Sequence, residues 1–262
     1  MKGVVLAGGL GKRLEPLTRI TNKHLLPIYH RPMIYYPLQT LVEAGISQIL
    51  IVTGGANAGD FLRLLGNGEE FGLKHLNYTY QRGEGGIAEA LGLAEHFAAG
   101  EPIAVILGDN IVEKSIRPYV ERFAINSRGA KVLLKEVEDP WRFGVAELEA
   151  EQIIGIEEKP KYPKSNYVVT GVYLYDTQVF EIVKTLKPSA VSGELEITDV
   201  NNVYIQRRQM TYDILDGWWT DAGVPETLYR AATLVREREL QRQKGSVPHD
   251  VLTAPLGRQR VR

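Results

Sequence analysis

Lys2-Gly3-Val4-Val5-Leu6-Ala7 runs without a break into Gly8-Gly9-Leu10-Gly11-Lys12-Arg13-Leu14. A short apolar run that empties into glycines and then cations reads as a buried strand followed by a loop whose backbone N–H groups face phosphate oxygens. This points to a nucleoside triphosphate. The P-loop spacing is absent, because Gly11-Lys12 is followed by Arg13 and the residue five before Gly11 is Leu6. Gly9-Leu10-Gly11 could open a dinucleotide fingerprint, but its third glycine position holds Leu14 and no acidic residue closes a second strand nearby.

The 262 residues are 44% hydrophobic, enough for a sizeable core in one large α/β domain. Lys and Arg number 31 against 32 acids, for a net charge of -1, so no basic excess favours nucleic acid or an anionic membrane, and a small ligand is expected. The absence of cysteine excludes disulfides, thiolate nucleophiles and Cys-ligated zinc, and fits a reducing compartment, with cytoplasm as the default. The apolar run at the N-terminus is too short for a secretory leader, and no segment approaches the ~20 apolar residues of a membrane helix.

Outward from the first strand, periodicity alternates. Strands are expected at Gly3 to Leu6, Gln48 to Thr53, Leu76 to Tyr80 and Ile103 to Leu107, and helices at Met33 to Ala44, Asp60 to Leu65 and Ile87 to Phe97. Ile49-Leu50-Ile51-Val52 and Ile103-Ala104-Val105-Ile106-Leu107 are apolar on both faces, as in a parallel sheet covered by helices. After Ser115, residues Ile116, Tyr119, Val120, Phe123 and Ala124 form one helical stripe. From Lys131 the pattern turns to short strands: Val132 to Val137, Gly144 to Leu148, Ile153 to Glu157 and Tyr167 to Tyr175. Helices at Val179 to Leu186, Glu196 to Gln206 and Glu226 to about Gln241 follow. The expected fold is α/β: a Rossmann-like, mainly parallel mixed sheet flanked by helices, with a smaller mixed-β part. It forms a single domain over 1–242, with a seam near 130 and a polar tail over 243–262.

Ligands of open parallel sheets sit beyond the carboxyl ends of strands, and four polar clusters follow apolar runs. They are the glycine loop with Arg13 and later Lys23; Asp109-Asn110 after Leu107-Gly108; Asp221 after Trp218-Trp219-Thr220; and Glu157-Glu158-Lys159 at a strand end. Taken singly, each has an ordinary structural explanation as a turn, a helix cap or a solvated strand edge. Together they supply cations for phosphates, two separated carboxylates for a hard cation, and an acid–lysine pair for a polyol phosphate. The five histidines are scattered, with no zinc spacing and no triad.

These stretches, with Lys23-His24-Leu25-Leu26-Pro27-Ile28, Pro32-Met33-Ile34-Tyr35-Tyr36-Pro37 and Gly193-Glu194-Leu195-Glu196-Ile197-Thr198-Asp199, occur in an order that resembles the glucose-1-phosphate thymidylyltransferases. The resemblance runs from residue 2 to about 235. It implies that dTTP and α-D-glucose 1-phosphate react to give dTDP-glucose and pyrophosphate, the entry to dTDP-rhamnose and other deoxysugars, with Mg²⁺ as cofactor and a homo-oligomer, a dimer or tetramer. By position it implies that Leu6, Ala7, Gly8, Gly9 and Gly11 cradle the triphosphate, Arg13 and Lys23 hold its leaving phosphates, and Gln81 and Gly86 meet the pyrimidine. It further implies that Asp109 and Asp221 bind the metal, and that Asn110, Phe143, Gly144, Glu158, Lys159, Val169 and Trp219 line the sugar-phosphate site. Arg13, Lys23, Asp109 and Lys159 are the expected catalytic groups.

The chain departs from that pattern in places. Leu10 and Lys12 stand where hydroxyl residues are common, and Phe143 where Tyr is common. The Ser189–Glu194 stretch has one extra residue and lacks an arginine before Gly193, which leaves the sugar phosphate to Lys159. The chain is also shorter than relatives whose extra C-terminal helices form a regulatory nucleotide site. Two alternatives stay open: the same chemistry with UTP, and a non-catalytic nucleotide-sugar sensor on the same fold.

Overall fold

The computed structural model describes residues 1–246. Strand β1 (Lys2–Ala7) is followed by a two-residue ladder, β2 (Pro27–Ile28) with β3 (Arg31–Pro32), then α1 (Tyr35–Glu43), β4 (Ile49–Gly54), α2 (Ala58–Leu65) and β5 (Leu76–Gln81). Next come α3 (Ile87–Gly92), α4 (Glu95–Ala98), β6 (Ile103–Leu107), β7 (Asn110–Val112) and α5 (Arg117–Ala124). Four strands follow, β8 (Ala130–Glu136), β9 (Gly144–Glu149), β10 (Gln152–Glu158) and β11 (Tyr167–Tyr175). The described chain closes with α6 (Gln178–Thr185), α7 (Ile197–Gln206), β12 (Met210–Ile214), β13 (Trp219–Asp221) and α8 (Pro225–Ser246).

The principal sheet runs β10-β9-β11-β6-β1-β4-β5, and β8 joins β11 to β12. Strands β6, β1, β4 and β5 are parallel, whereas β11 crosses β6 antiparallel. The α/β mixed sheet expected from periodicity is present, and hydrogen bonding continues across the seam near 130. Apolar residues on both faces of β1, β4 and β6 divide into two clusters, one beneath α1 and α5 and one beneath α3, α6 and α7. β1 lies between β4, reached next in the sheet, and β6, added later on its other side. The carboxyl ends of β1 and β6 therefore form a topological switch point, where an open α/β sheet leaves a crevice.

Several expectations are corrected. The helix expected over Ile87 to Phe97 is two, α3 and α4, separated by a turn at Leu93 and Ala94 directly after Gly92, where a Cβ would lie 3.1 Å from Val183 Cγ1 on α6. Ala124 is exposed, while Ile116, Tyr119, Val120 and Phe123 are buried. Residues 243–246, expected in the tail, belong to α8; the remainder of that tail lies outside the described residues. Strand β12 (Met210-Thr211-Tyr212-Asp213-Ile214) was not among the expected strands: the segment alternates apolar and polar residues but is short and none of it is buried, and it pairs in parallel with β8 over its whole length.

Candidate active site

A cleft of about 320 Å³ opens at the carboxyl ends of β1 and β6. Of the residues singled out from sequence, Leu6, Gly8, Gly9, Arg13, Lys23, Gln81, Gly86, Asp109, Asn110, Phe143, Gly144, Glu158, Lys159, Val169, Trp219 and Asp221 all line it. Ala7 and Gly11 do not. Ala7 is fully buried in β1, and Gly11 sits behind the loop, where its φ of 72° and a Cβ that would come within 2.8 Å of Lys23 Cβ both demand glycine. Gly11 thereby lets the Lys23 stem run under the loop to the cleft floor.

On that floor Lys23 Nζ meets Asp109 Oδ2 at 2.6 Å, with both side chains largely buried. Gly108 N donates to Leu6 O at 2.8 Å, so Asp109 emerges directly beside the end of β1. Burial opposes its ionisation, but the Lys23 charge and hydrogen bonds from Lys23 and Asn110 outweigh it and hold the carboxyl well below the usual range. His24, beneath the same floor, is pushed down to about 3, first by burial and then by the neighbouring Lys23 charge. A neutral His24 follows, so it adds no charge at neutral pH.

Asn110 is a buried junction. Its Nδ2 donates to Asp109 Oδ1 at 2.9 Å, while its Oδ1 accepts from Trp219 Nε1 at 2.7 Å and from Gly171 N at 3.0 Å. The Trp219 indole N–H is thus engaged, and the ring offers the cleft an apolar face, packed edge-on against Phe143. Antiparallel pairing of β13 with β7 sets Asp221 opposite Asn110 and brings a second carboxylate beside Asp109.

Asp221 has a different environment. Its pKa is raised, first by burial and then by the negative charge of Asp109, against the partial relief of Arg142 and Arg13. Measured from the point where a Cβ on Gly223 would stand, Asp221 Oδ2 is 3.1 Å away, Arg13 Nη2 3.2 Å and Asp109 Oδ2 3.5 Å. Asp109 and Asp221 offer oxygen donors that could hold a hard divalent cation together with phosphate oxygens and water, with the Arg13 guanidinium beside the same point. Among the described residues no group of three or more His, Asp or Glu is placed to hold a metal ion.

The opposite wall is looser. Glu158 Oε2 accepts from Thr198 Oγ1 at 2.6 Å, and Glu158 Oε1 meets Lys159 Nζ at 2.9 Å, with the Lys159 side chain 60% exposed. The Lys159 backbone has φ 43°, an uncommon conformation for a residue with a side chain, held by Lys159 N donating to Phe143 O at 3.0 Å. Arg142 was missed by sequence reasoning. It lines the cleft, half-buried, 3.6 Å from Asp221 Oδ1 and 2.9 Å from Asp139 Oδ2. Its one available signal was its position just before the Phe143-Gly144 pair.

The Gly-Glu-Leu-Glu motif also does more than the sequence suggested. Leu195 N donates to Gly85 O at 2.9 Å and Ala88 N to Leu195 O at 3.0 Å, so this stretch clamps the loop that carries Gly86. Lys12 pairs with Glu84 across the cleft mouth at 2.5 Å.

The sequence profile described as nucleotidyl transferase matches residues 2–238. The chain belongs to the nucleotidyl transferase family, whose chemistry generally uses a divalent metal. Within that family it is 45% identical over 240 residues to a glucose-1-phosphate thymidylyltransferase of an Actinoplanes species, covering 90% of this chain and 78% of the relative. It is 44% identical to the enzyme of the same name from Neisseria meningitidis, with 90% and 83% covered. A Bacillus anthracis structure provisionally named glucose-1-phosphate thymidylyltransferase, in complex with a sucrose, superposes with a TM-score of 0.86 at 54% identity, covering 90% of this chain and 96% of that one. No helix among the described residues is long and apolar enough to cross a membrane.

Proposed function

We propose that this chain transfers a thymidylyl group from dTTP to α-D-glucose 1-phosphate, releasing pyrophosphate and forming dTDP-glucose. The observation that carries the reading is the convergence of Asp109, Asp221, Lys23 and Arg13 at the switch point, between a wall bearing Gln81 and Gly86 and a wall bearing Glu158 and Lys159. The names of the relatives supply the substrates. A UDP-glucose pyrophosphorylase bound to UDP-glucose also shares the fold, with a TM-score of 0.81, but at 26% identity, which favours dTTP over UTP.

A sugar phosphate is ionised near neutral pH, so its oxygen attacks the α-phosphorus without a general base. The P–O bond to the departing pyrophosphate breaks in line with that attack. The site's task is to offset repulsion between two polyanions and to align them. The backbone of Gly8 and Gly9 and the side chains of Arg13 and Lys23 hold the triphosphate, with Gly11 making room for the Lys23 stem and Gln81 and Gly86 at the base. Lys159 faces the sugar phosphate, Glu158 accepts sugar hydroxyls, and Gly144 and Val169 close that pocket. Arg142 supplies the second cation that the missing arginine before Gly193 would have given. Asp109 and Asp221 would hold Mg²⁺, which when bound neutralises phosphate charge and orients the α-phosphate. The reading carries with it a cytoplasmic homo-oligomer, a dimer or tetramer.

The test is pyrophosphate release with glucose 1-phosphate and each of dTTP, UTP, CTP, ATP and GTP, with and without chelator. Chelator-sensitive release led by dTTP is expected. Folded protein that releases none with any triphosphate contradicts the reading and favours a sensor.

A further inference from the structure

We propose that Glu89 is a positioning residue that sets base selection by holding the Gln81 carboxamide with its oxygen, and not its nitrogen, towards the bound base. The inference rests on the reading that Gln81 meets the pyrimidine edge. Gln81 is the last residue of β5 and is buried. Its Nε2 donates to Glu89 Oε2 at 2.7 Å and to Gly86 O at 3.0 Å. Both partners only accept, and they engage both amide hydrogens. A flipped amide would set Oε1 against a carboxylate and a carbonyl, leaving buried acceptors facing one another.

Oε1 is left facing the cleft beside the glycine loop, only 2.5 Å from where a Cβ on Gly8 would stand. No donor among the described residues reaches it. A fixed acceptor at this place accepts the N3–H of thymine or uracil. It opposes the unprotonated N3 of cytosine, which is itself an acceptor. The arrangement therefore rejects CTP and does not separate dTTP from UTP.

Room for the device is built into the main chain. The Glu89 carboxylate passes directly under Gly85, where a Cβ would overlap both of its oxygens. An acid in the first turn of α3 also favours the helix dipole, but that role would affect all nucleotides alike. The nucleotide ratio separates the two roles.

The experiment compares kcat/KM for dTTP, UTP and CTP at saturating glucose 1-phosphate in wild type, Glu89→Gln and Gly85→Ala, with folding checked by thermal melting. A glutamine at 89 keeps the shape but can donate to Gln81 Oε1 as well as accept from Nε2, so both amide orientations become allowed. The dTTP:CTP ratio is expected to fall about tenfold or more in Glu89→Gln, mainly through a higher KM for dTTP, with the dTTP:UTP ratio unchanged. Gly85→Ala, which displaces the carboxylate, moves the first ratio the same way and decides the matter if Glu89→Gln does not fold. A dTTP:CTP ratio within about twofold of wild type in the folded variants overturns the inference while leaving the proposed reaction intact. If the wild type makes no dTDP-glucose, the proposed reaction fails instead, and the same ratio is read from equilibrium binding of dTTP and CTP.

Discussion

The two walls of the cleft are built in opposite ways. On the β1–β6 side, Asp109 is pinned by Lys23 and Asn110, its charge already matched within a packed floor. On the side formed by β9, β10 and β13, Asp221 is half-buried, but its nearest cation, Arg142, is 3.6 Å away and shared with Asp139, and its principal electrostatic neighbour is another acid. Lys159, on the same side, reaches out on a strained backbone into solvent. One wall is a finished structure that also does chemistry. The other holds charge that Arg142 and Glu158 compensate only in part, an arrangement that on the proposed reading trades stability for activity.

The harshest test of this contrast is Asp109→Asn. It removes a charge from the reaction and also leaves Lys23 buried without its partner. Turnover should fall by roughly 10² or more, and the protein should lose about 3 kcal/mol, as expected when one partner of a buried ion pair is removed. Rate measurements and a denaturant melt check both parts. Lys159→Ala should lose a similar ~10² in turnover with an unchanged melting temperature, because the side chain is solvated; a destabilised variant would break the contrast.

Asp221→Asn sharpens it further. Turnover should fall, yet Tm should rise by about 2–4 °C, corresponding to about 1 kcal/mol, once the buried charge beside Asp109 is gone. Differential scanning calorimetry in chelator gives the sign, and a lowered Tm would show that Asp221 is structurally compensated after all. The two acids also predict opposite pH dependences. The depressed pKa of Asp109 contributes stability that is present above the ordinary aspartate range and is lost as pH falls through its folded value. The raised pKa of Asp221 contributes stability at low pH that is lost as pH rises through its folded value. The smallest effect follows: the metal concentration needed for half-maximal rate should increase towards acid in wild type, as Asp221 takes up a proton, and this slope should be absent in Asp221→Asn.

Sequence reasoning reached the finished wall more completely than the other. β1, its glycine loop and Asp109 after β6 are local patterns, in which an apolar run ends and polar groups begin at one sheet edge. Glu158, Lys159 and Asp221 were also legible as polar groups after apolar runs, but a charged strand end and an acid after a Trp pair have ordinary structural explanations, and their separate roles came only from the motif resemblance. Arg142 and Glu89 escaped both routes. Arg142 becomes a cleft residue only because a short 3-10 turn at Pro140–Arg142 faces β13, and Glu89 only because β5 and α3 bring it to Gln81, eight residues earlier. Gly85 matters through its close approach to the Glu89 carboxylate, and Gly223 through its approach to Arg13 and Asp109, both distant in sequence, which composition does not encode.

On the proposed reading, Asp109 and Asp221 together hold the metal against the triphosphate. Binding of Mn²⁺, followed by electron paramagnetic resonance in the presence of dTTP, in wild type, Asp109→Asn and Asp221→Asn measures this without turnover. Loss of the protein-dependent, dTTP-linked Mn²⁺ signal in both variants is the predicted result; a signal equal to wild type in either folded variant would contradict it.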